Sequence, residues 1–197
     1  LDDRYSKLSK SKFGKFLEHS EFSKNAFRMA TKAGILLMHP SRWVCFLKGK
    51  LPGRLGFFTL DFEAFVRACG AQEVFVLSQS AGGILSSYAA SETNISGMVC
   101  FGYPFRHPDK GPESYRTEHL KNLKTPFLIF QGNRDVYGSY EDAHRYALSP
   151  AIRIESIDSG HDYDNLSTTD FSNVLGSIQK FLGWVGGNPS NFHRPEE

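Results

Sequence analysis

Apolar and polar residues along the chain fall into two alternating rhythms from about residue 59 onward. Short runs rich in Val, Ile, Leu and Phe at 73–78, 97–102, 126–131 and 151–157 have the length and β-branched or aromatic content of strands. Between and after them, helix-period segments occur near 82–90, 139–147 and 170–182. A helix capped by Thr59 or Asp61 is expected to run through Cys69 and to be ended by Gly70. Leu51-Pro52-Gly53-Arg54-Leu55-Gly56 reads as a turn-rich connector, and upstream 11–34 and 41–48 read mainly as helix, although the second also fits a strand. Alternating βα units predict an α/β fold: a mainly parallel sheet with helices on both faces, preceded by a basic helical amino-terminal segment.

The junction Val74-Phe75-Val76-Leu77-Ser78-Gln79-Ser80-Ala81-Gly82-Gly83 carries the first chemical signal. A strand stops at a serine and a helix starts at once, so the serine backbone is strained and the residues two positions either side must be small. Ser78 and Gly82 meet that condition, with serine standing where the first glycine of G-x-S-x-G would be. Gln131-Gly132-Asn133-Arg134-Asp135 ends the third strand on an acid, and Asp158-Ser159-Gly160-His161-Asp162 follows the fourth with a histidine. In a parallel sheet these loops open on one edge, where Ser80, Asp135 and His161 can converge although far apart in sequence. Asp158, Asp162 and Asp164 also crowd His161 and are alternatives to Asp135 as its orienting acid.

The order Ser, Asp, His is that of the α/β-hydrolases. Residues from about 60 to 185 resemble the second half of that fold, and most closely its small dienelactone-hydrolase-like branch. The run Phe101-Gly102-Tyr103-Pro104 through Arg116-Thr117-Glu118-His119-Leu120, followed by Pro126 and Gln131-Gly132-Asn133-Arg134-Asp135, is similar to a group of mostly uncharacterised hydrolase-like proteins. The resemblance implies Ser80 as nucleophile, Asp135 as acid, His161 as base and the Ala81 N–H as an oxyanion donor. Gln79, Tyr103 and Arg106 are the candidate substrate contacts. The expected activity is cleavage of an ester, thioester or related acyl bond of a small molecule through an acyl-enzyme, with no cofactor and no metal. Some relatives serve as non-catalytic subunits, so a hydrolase-fold binding or scaffold protein is the alternative. The strand and loop that would supply a second oxyanion donor cannot be read upstream of Ser80. The first strands of the fold are therefore expected to be lacking, through truncation, processing or degeneration of the site.

Composition narrows this picture modestly. The 197 residues with 40% hydrophobic content suit one core, divided as a basic segment or cap at 1–56, a hydrolase core at 57–185 and a flexible tail at 186–197. Residues 1–54 hold 12 Lys or Arg against 4 Asp or Glu, a net of +8, which leaves −6 for the remainder of a chain with formal charge +2. Aromatic residues such as Phe13, Phe16 and Trp43 lie within the basic segment, so peripheral membrane contact is one reading of it and a solvated helical face is the other. No nucleic-acid motif accompanies it. The run Ala33-Gly34-Ile35-Leu36-Leu37-Met38 is far shorter than the ~20 residues of a membrane span. Three cysteines at unrelated spacings suggest no disulfide framework and hence a reducing, cytoplasmic setting. His107, His119 and His144 lack metal-site spacing and are expected to be structural or surface residues. Oligomeric state leaves no mark in the sequence.

Overall fold

The computed structural model describes residues 54–164 and 166–187. The expected helices at 11–34 and 41–48, and most of the tail, lie outside these residues. Helix α1 (Arg54–Ala68) precedes strand β1 (Val74–Gln79), helix α2 (Ala81–Ala89) and strand β2 (Ile95–Phe101). A hairpin of β3 (Arg106–His107) and β4 (Gly111–Pro112) follows, then α3 (Ser114–Thr117) and a 3₁₀ turn over Glu118–Asn122. Strand β5 (Phe127–Gly132), the short helix α4 (Tyr140–Ala143), β6 (Ile152–Ile157) and α5 (Thr168–Gly187) complete the order.

Four strands form a parallel sheet in the order β1-β2-β5-β6. Period-2 alternation divides its side chains between two apolar layers. Phe127 and Ile129 of β5, with Met98 and Cys100 of β2, pack with Ile84 and Ala89 of α2 and Val66 of α1. Leu128 and Phe130, with Val99 of β2, pack with Val174 and Phe181 of α5. Every residue of β5 is buried, as expected for a strand flanked by strands and covered on both faces.

Three expected helices differ from those observed. α5 runs from Thr168 to Gly187, past the expected end near 182 and through Gly186 and Gly187, the first two residues of the expected tail. α1 begins at Arg54 and not at Thr59 or Asp61. Leu55, Phe62 and Val66 share its core-facing stripe, and Thr59 Oγ1 donates back to the Leu55 carbonyl at 2.8 Å instead of capping. Gly70, at φ +62°, does stand just past its end. The helix expected over 139–147 closes after one turn: Ser139 and Asp142 form a reciprocal capping box, and the chain then leaves through turns at Arg145 and Tyr146.

Candidate active site

Ser80 sits at the seam of β1 and α2. Its N–H donates to the Phe101 carbonyl at 2.9 Å, continuing the pairing of β1 with β2, while its own carbonyl accepts from Gly83 N at 2.9 Å, opening the helix. Satisfying both ladders in one residue forces φ 50° and ψ −123°, a conformation side-chain-bearing residues rarely take. The close approach of strand and helix makes the neighbouring glycines necessary. A Cβ on Gly82 would lie 3.2 Å from Ser78 Cβ, and one on Gly83 only 2.5 Å from Cys100 Sγ. Gly83, which the elbow pattern does not single out, is therefore the tighter position.

The second and third loops are brought over the same sheet edge by another glycine contact. A Cβ on Gly132, the last residue of β5, would lie 2.6 Å from the Ser159 carbonyl oxygen and 2.7 Å from that of Gly160. Its absence lets the loop after β6 cross the end of β5, tied there by Asn133 N to Ile157 O at 3.0 Å and Arg134 N to Ser159 O at 3.1 Å. His161 is thereby carried between Asp135 and Ser80. His161 Nε2 lies 2.9 Å from Ser80 Oγ, and its Nδ1 lies 2.9 and 3.1 Å from the two carboxylate oxygens of Asp135. Since the carboxylate only accepts, the ring hydrogen belongs on Nδ1, leaving the Nε2 lone pair toward the serine hydroxyl.

The carboxylate of Asp135 is fully shielded from solvent, whereas the imidazole is 17% exposed. Burying that charge requires donors, and the Tyr137 N–H supplies one to Oδ1 at 2.8 Å. The Tyr137 ring packs on the imidazole at 4.4 Å between centroids. Gly102, at φ +62°, has no Cβ because one would stand 3.2 Å from both Asp135 Oδ2 and His161 Nδ1. Tyr163 braces the other side: its hydroxyl donates to the Phe130 carbonyl at 2.8 Å and accepts from Gly132 N at 3.0 Å. Burial raises the pKa of that phenol well above the usual tyrosine range, so it stays a neutral donor at any working pH.

Of the alternative acids, Asp158 turns outward to Arg134 and to Asn133 Nδ2, and these hydrogen bonds hold its carboxyl below the usual carboxylate range. Ala81 opens α2, where first-turn N–H groups have no carbonyl partner within the helix. Gln79 is exposed and lines a depression of about 360 Å³ with Leu77, Ser78, Phe101, Asp162 and Tyr163. Tyr103 is not at this surface. It is fully buried, packed against Phe105, with its hydroxyl donated to the Arg116 carbonyl, so the substrate contact expected of it has no surface to be made with. Arg106, in the hairpin, pairs with Asp142 at 3.6 Å and makes no hydrogen bond or ion pair with the three converging residues. Cys100 is a buried core side chain whose thiol burial pushes up to about 12. Among the described residues no group of three or more His, Cys, Asp or Glu side chains converges as metal ligands would, and no helix is long and apolar enough to cross a membrane.

A parallel sheet, a strained serine between strand and helix, and acid and histidine loops over one edge define a protein of the α/β-hydrolase type. The family model of the alpha/beta hydrolase domain matches residues 47–180, and the chain belongs to that family. An esterase of Pyrococcus furiosus is similar in fold, with 17% identity and a TM-score of 0.53 over 68% of this chain and 64% of that one. So is a predicted CIB-like hydrolase from Thermoplasma acidophilum, at 14% identity and a TM-score of 0.50 over 64% of this chain and 59% of that one. The chain thus spans somewhat under two thirds of the length of either structure. No curated protein matches it in sequence.

Proposed function

We propose that this chain is a serine hydrolase that cleaves an ester, thioester or related acyl bond of a small molecule through an acyl-enzyme. The observation that carries the reading is the unbroken run of short contacts from Ser80 Oγ through the His161 ring to the buried Asp135 carboxylate. In the proposed reaction His161 Nε2 takes the hydroxyl proton as Ser80 Oγ attacks the acyl carbon, and Asp135 stabilises the imidazolium that forms. The Ala81 N–H, at the positive end of α2, faces the developing oxyanion. Collapse of the tetrahedral intermediate expels the alcohol or thiol, which receives its proton from His161. Water then repeats the sequence on the acyl-enzyme. The bound substrate extends over the depression lined by Gln79 and Phe101, whose lining includes the chain neighbours of Ser80 and His161, Gln79 and Asp162.

Labelling with a fluorophosphonate probe tests the reading directly. Wild type is expected to be labelled and to hydrolyse p-nitrophenyl or thioester substrates, and Ser80→Ala to lose both. A folded wild-type chain that neither labels nor hydrolyses would instead point to a binding or scaffold protein on a hydrolase fold.

A further inference from the structure

β5 is buried at all six positions, yet its fifth residue is a glutamine with no exposed surface. A primary amide brings two N–H hydrogens and a carbonyl oxygen into the core, and any of them left unpaired is costly. Gln131 Nε2 donates to Asp135 Oδ2 at 3.1 Å and to the Gly138 carbonyl at 2.5 Å, whereas Gln131 Oε1 has no partner. The orientation of the amide follows from those neighbours, because the flipped form would set Oε1 against a carboxylate and a carbonyl oxygen. Both acceptors belong to the turn that carries Asp135. A core side chain that leaves its own oxygen orphaned is accounted for by what its nitrogen holds.

We propose that Gln131 is a positioning residue for the Ser80, His161 and Asp135 relay. It holds the Asp135 carboxylate turned so that Oδ2 faces His161 Nδ1, and it acts on the reaction only through Asp135. With the Tyr137 N–H on Oδ1 and Gln131 on Oδ2, each carboxylate oxygen has a donor besides the imidazole, which fixes the rotation of a group that would otherwise pivot in its cavity. The inference rests on the catalytic reading above.

Gln131→Met retains length and volume and removes both donors. Its kcat is expected to fall about 10- to 100-fold with KM within about twofold. Gln131→Glu separates positioning from packing. Protonated, its carboxylic acid donates to Asp135 as the amide does; ionised, it sets a second negative charge against a buried carboxylate. Its kcat should approach the wild-type value at the same pH on the acid side and drop as pH rises, while the Met variant is depressed throughout. A second readout does not depend on turnover: a deshielded Nδ1–H proton resonance of His161, expected in wild type from its contact with Asp135, should broaden or move upfield in Gln131→Met. Unchanged kcat and an unmoved resonance in the Met variant overturn the proposal. So do Met and Glu variants depressed equally at every pH with the resonance intact, the pattern of a purely structural residue. If Gln131→Met does not fold, the pH profile of Gln131→Glu decides. If wild type hydrolyses nothing, the catalytic reading fails by itself, and the resonance decides whether Gln131 holds Asp135 against His161.

Discussion

Helix α2 carries a serine–histidine pair at each end, and their distances barely differ: 2.9 Å from Ser80 Oγ to His161 Nε2, and 2.8 Å from Ser87 Oγ to His119 Nε2. Their surroundings differ in every respect that matters for chemistry. Ser80 is strained at the helix start and partly accessible, and its histidine is backed by a buried carboxylate. Ser87 is 2% exposed and already donates its hydrogen to the Ile84 carbonyl at 2.9 Å. Its partner His119 stacks on Tyr88 at 3.8 Å, and its buried Nδ1 meets no acid or carbonyl. Burial pushes the His119 imidazole down to about 4, so it is a poor base at neutral pH. The close pair is therefore a pin between α2 and the segment after β4. What separates the proposed nucleophile from a pin is the third group, the access and the backbone strain, not the serine–histidine distance.

The largest effect is expected from taking away that third group. Asp135→Asn keeps the shape of the side chain but presents an N–H toward His161 Nδ1, which favours the wrong ring tautomer. The proposed hydrolysis should drop about 10⁴-fold in kcat while the thermal unfolding curve shows a folded protein. A variant retaining a tenth of wild-type turnover would erase the distinction between the two pairs, because His161 would then work as well without a carboxylate as His119 stands without one.

How much of this contrast could be read in the chain depends on sequence distance and on which way side chains face. The strands that deliver Ser80, Asp135 and His161 are legible because each is an apolar run ended by small or turn-forming residues, and buried parallel strands read as such runs. The start of α1 is obscured by the turn signal of Pro52-Gly53, although the apolar stripe of Leu55, Phe62 and Val66 begins only two residues after it. Tyr103 follows a strand end and so suggests a pocket mouth. The positive φ of Gly102 turns the chain there, and the tyrosine enters the layer of Phe105 and Phe127 instead. Gln131 reads only as the polar end of an apolar run, since nothing local shows that its amide reaches a residue four positions on. Ser87 and His119 lie 32 residues apart with no shared motif, so their contact belongs wholly to tertiary structure.

The pin should show itself in stability and not in turnover. His119 has its ordinary value near 6.5 when unfolded and about 4 when folded. Above the unfolded value both states are neutral and the burial carries no penalty. As pH falls from about 6.5 toward about 4, the unfolded chain binds a proton that the folded chain refuses, and stability is lost by up to about 3 kcal/mol. His119→Gln keeps an N–H for Ser87 and cannot titrate. Urea midpoints taken between pH 7 and pH 4.5 should therefore converge or cross for the two proteins as the solution is acidified. Parallel curves would mean that His119 is not held neutral by the fold.

Ser87→Ala gives the smallest change and the sharpest comparison with Ser80→Ala. Removing the hydroxyl leaves His119 Nε2 without its partner in a site where Nδ1 already lacks one, at an expected cost of about 1–2 kcal/mol in unfolding free energy. Fluorophosphonate labelling and kcat should stay at wild-type levels, since the two serines lie about two helical turns, roughly 10 Å, apart along α2. Loss of labelling in Ser87→Ala, with Ser80→Ala still labelled, would move the nucleophile to the other end of the helix. The carboxylate beside His161 would then have to be explained as structure, and the orphaned nitrogen of His119 as the chemistry.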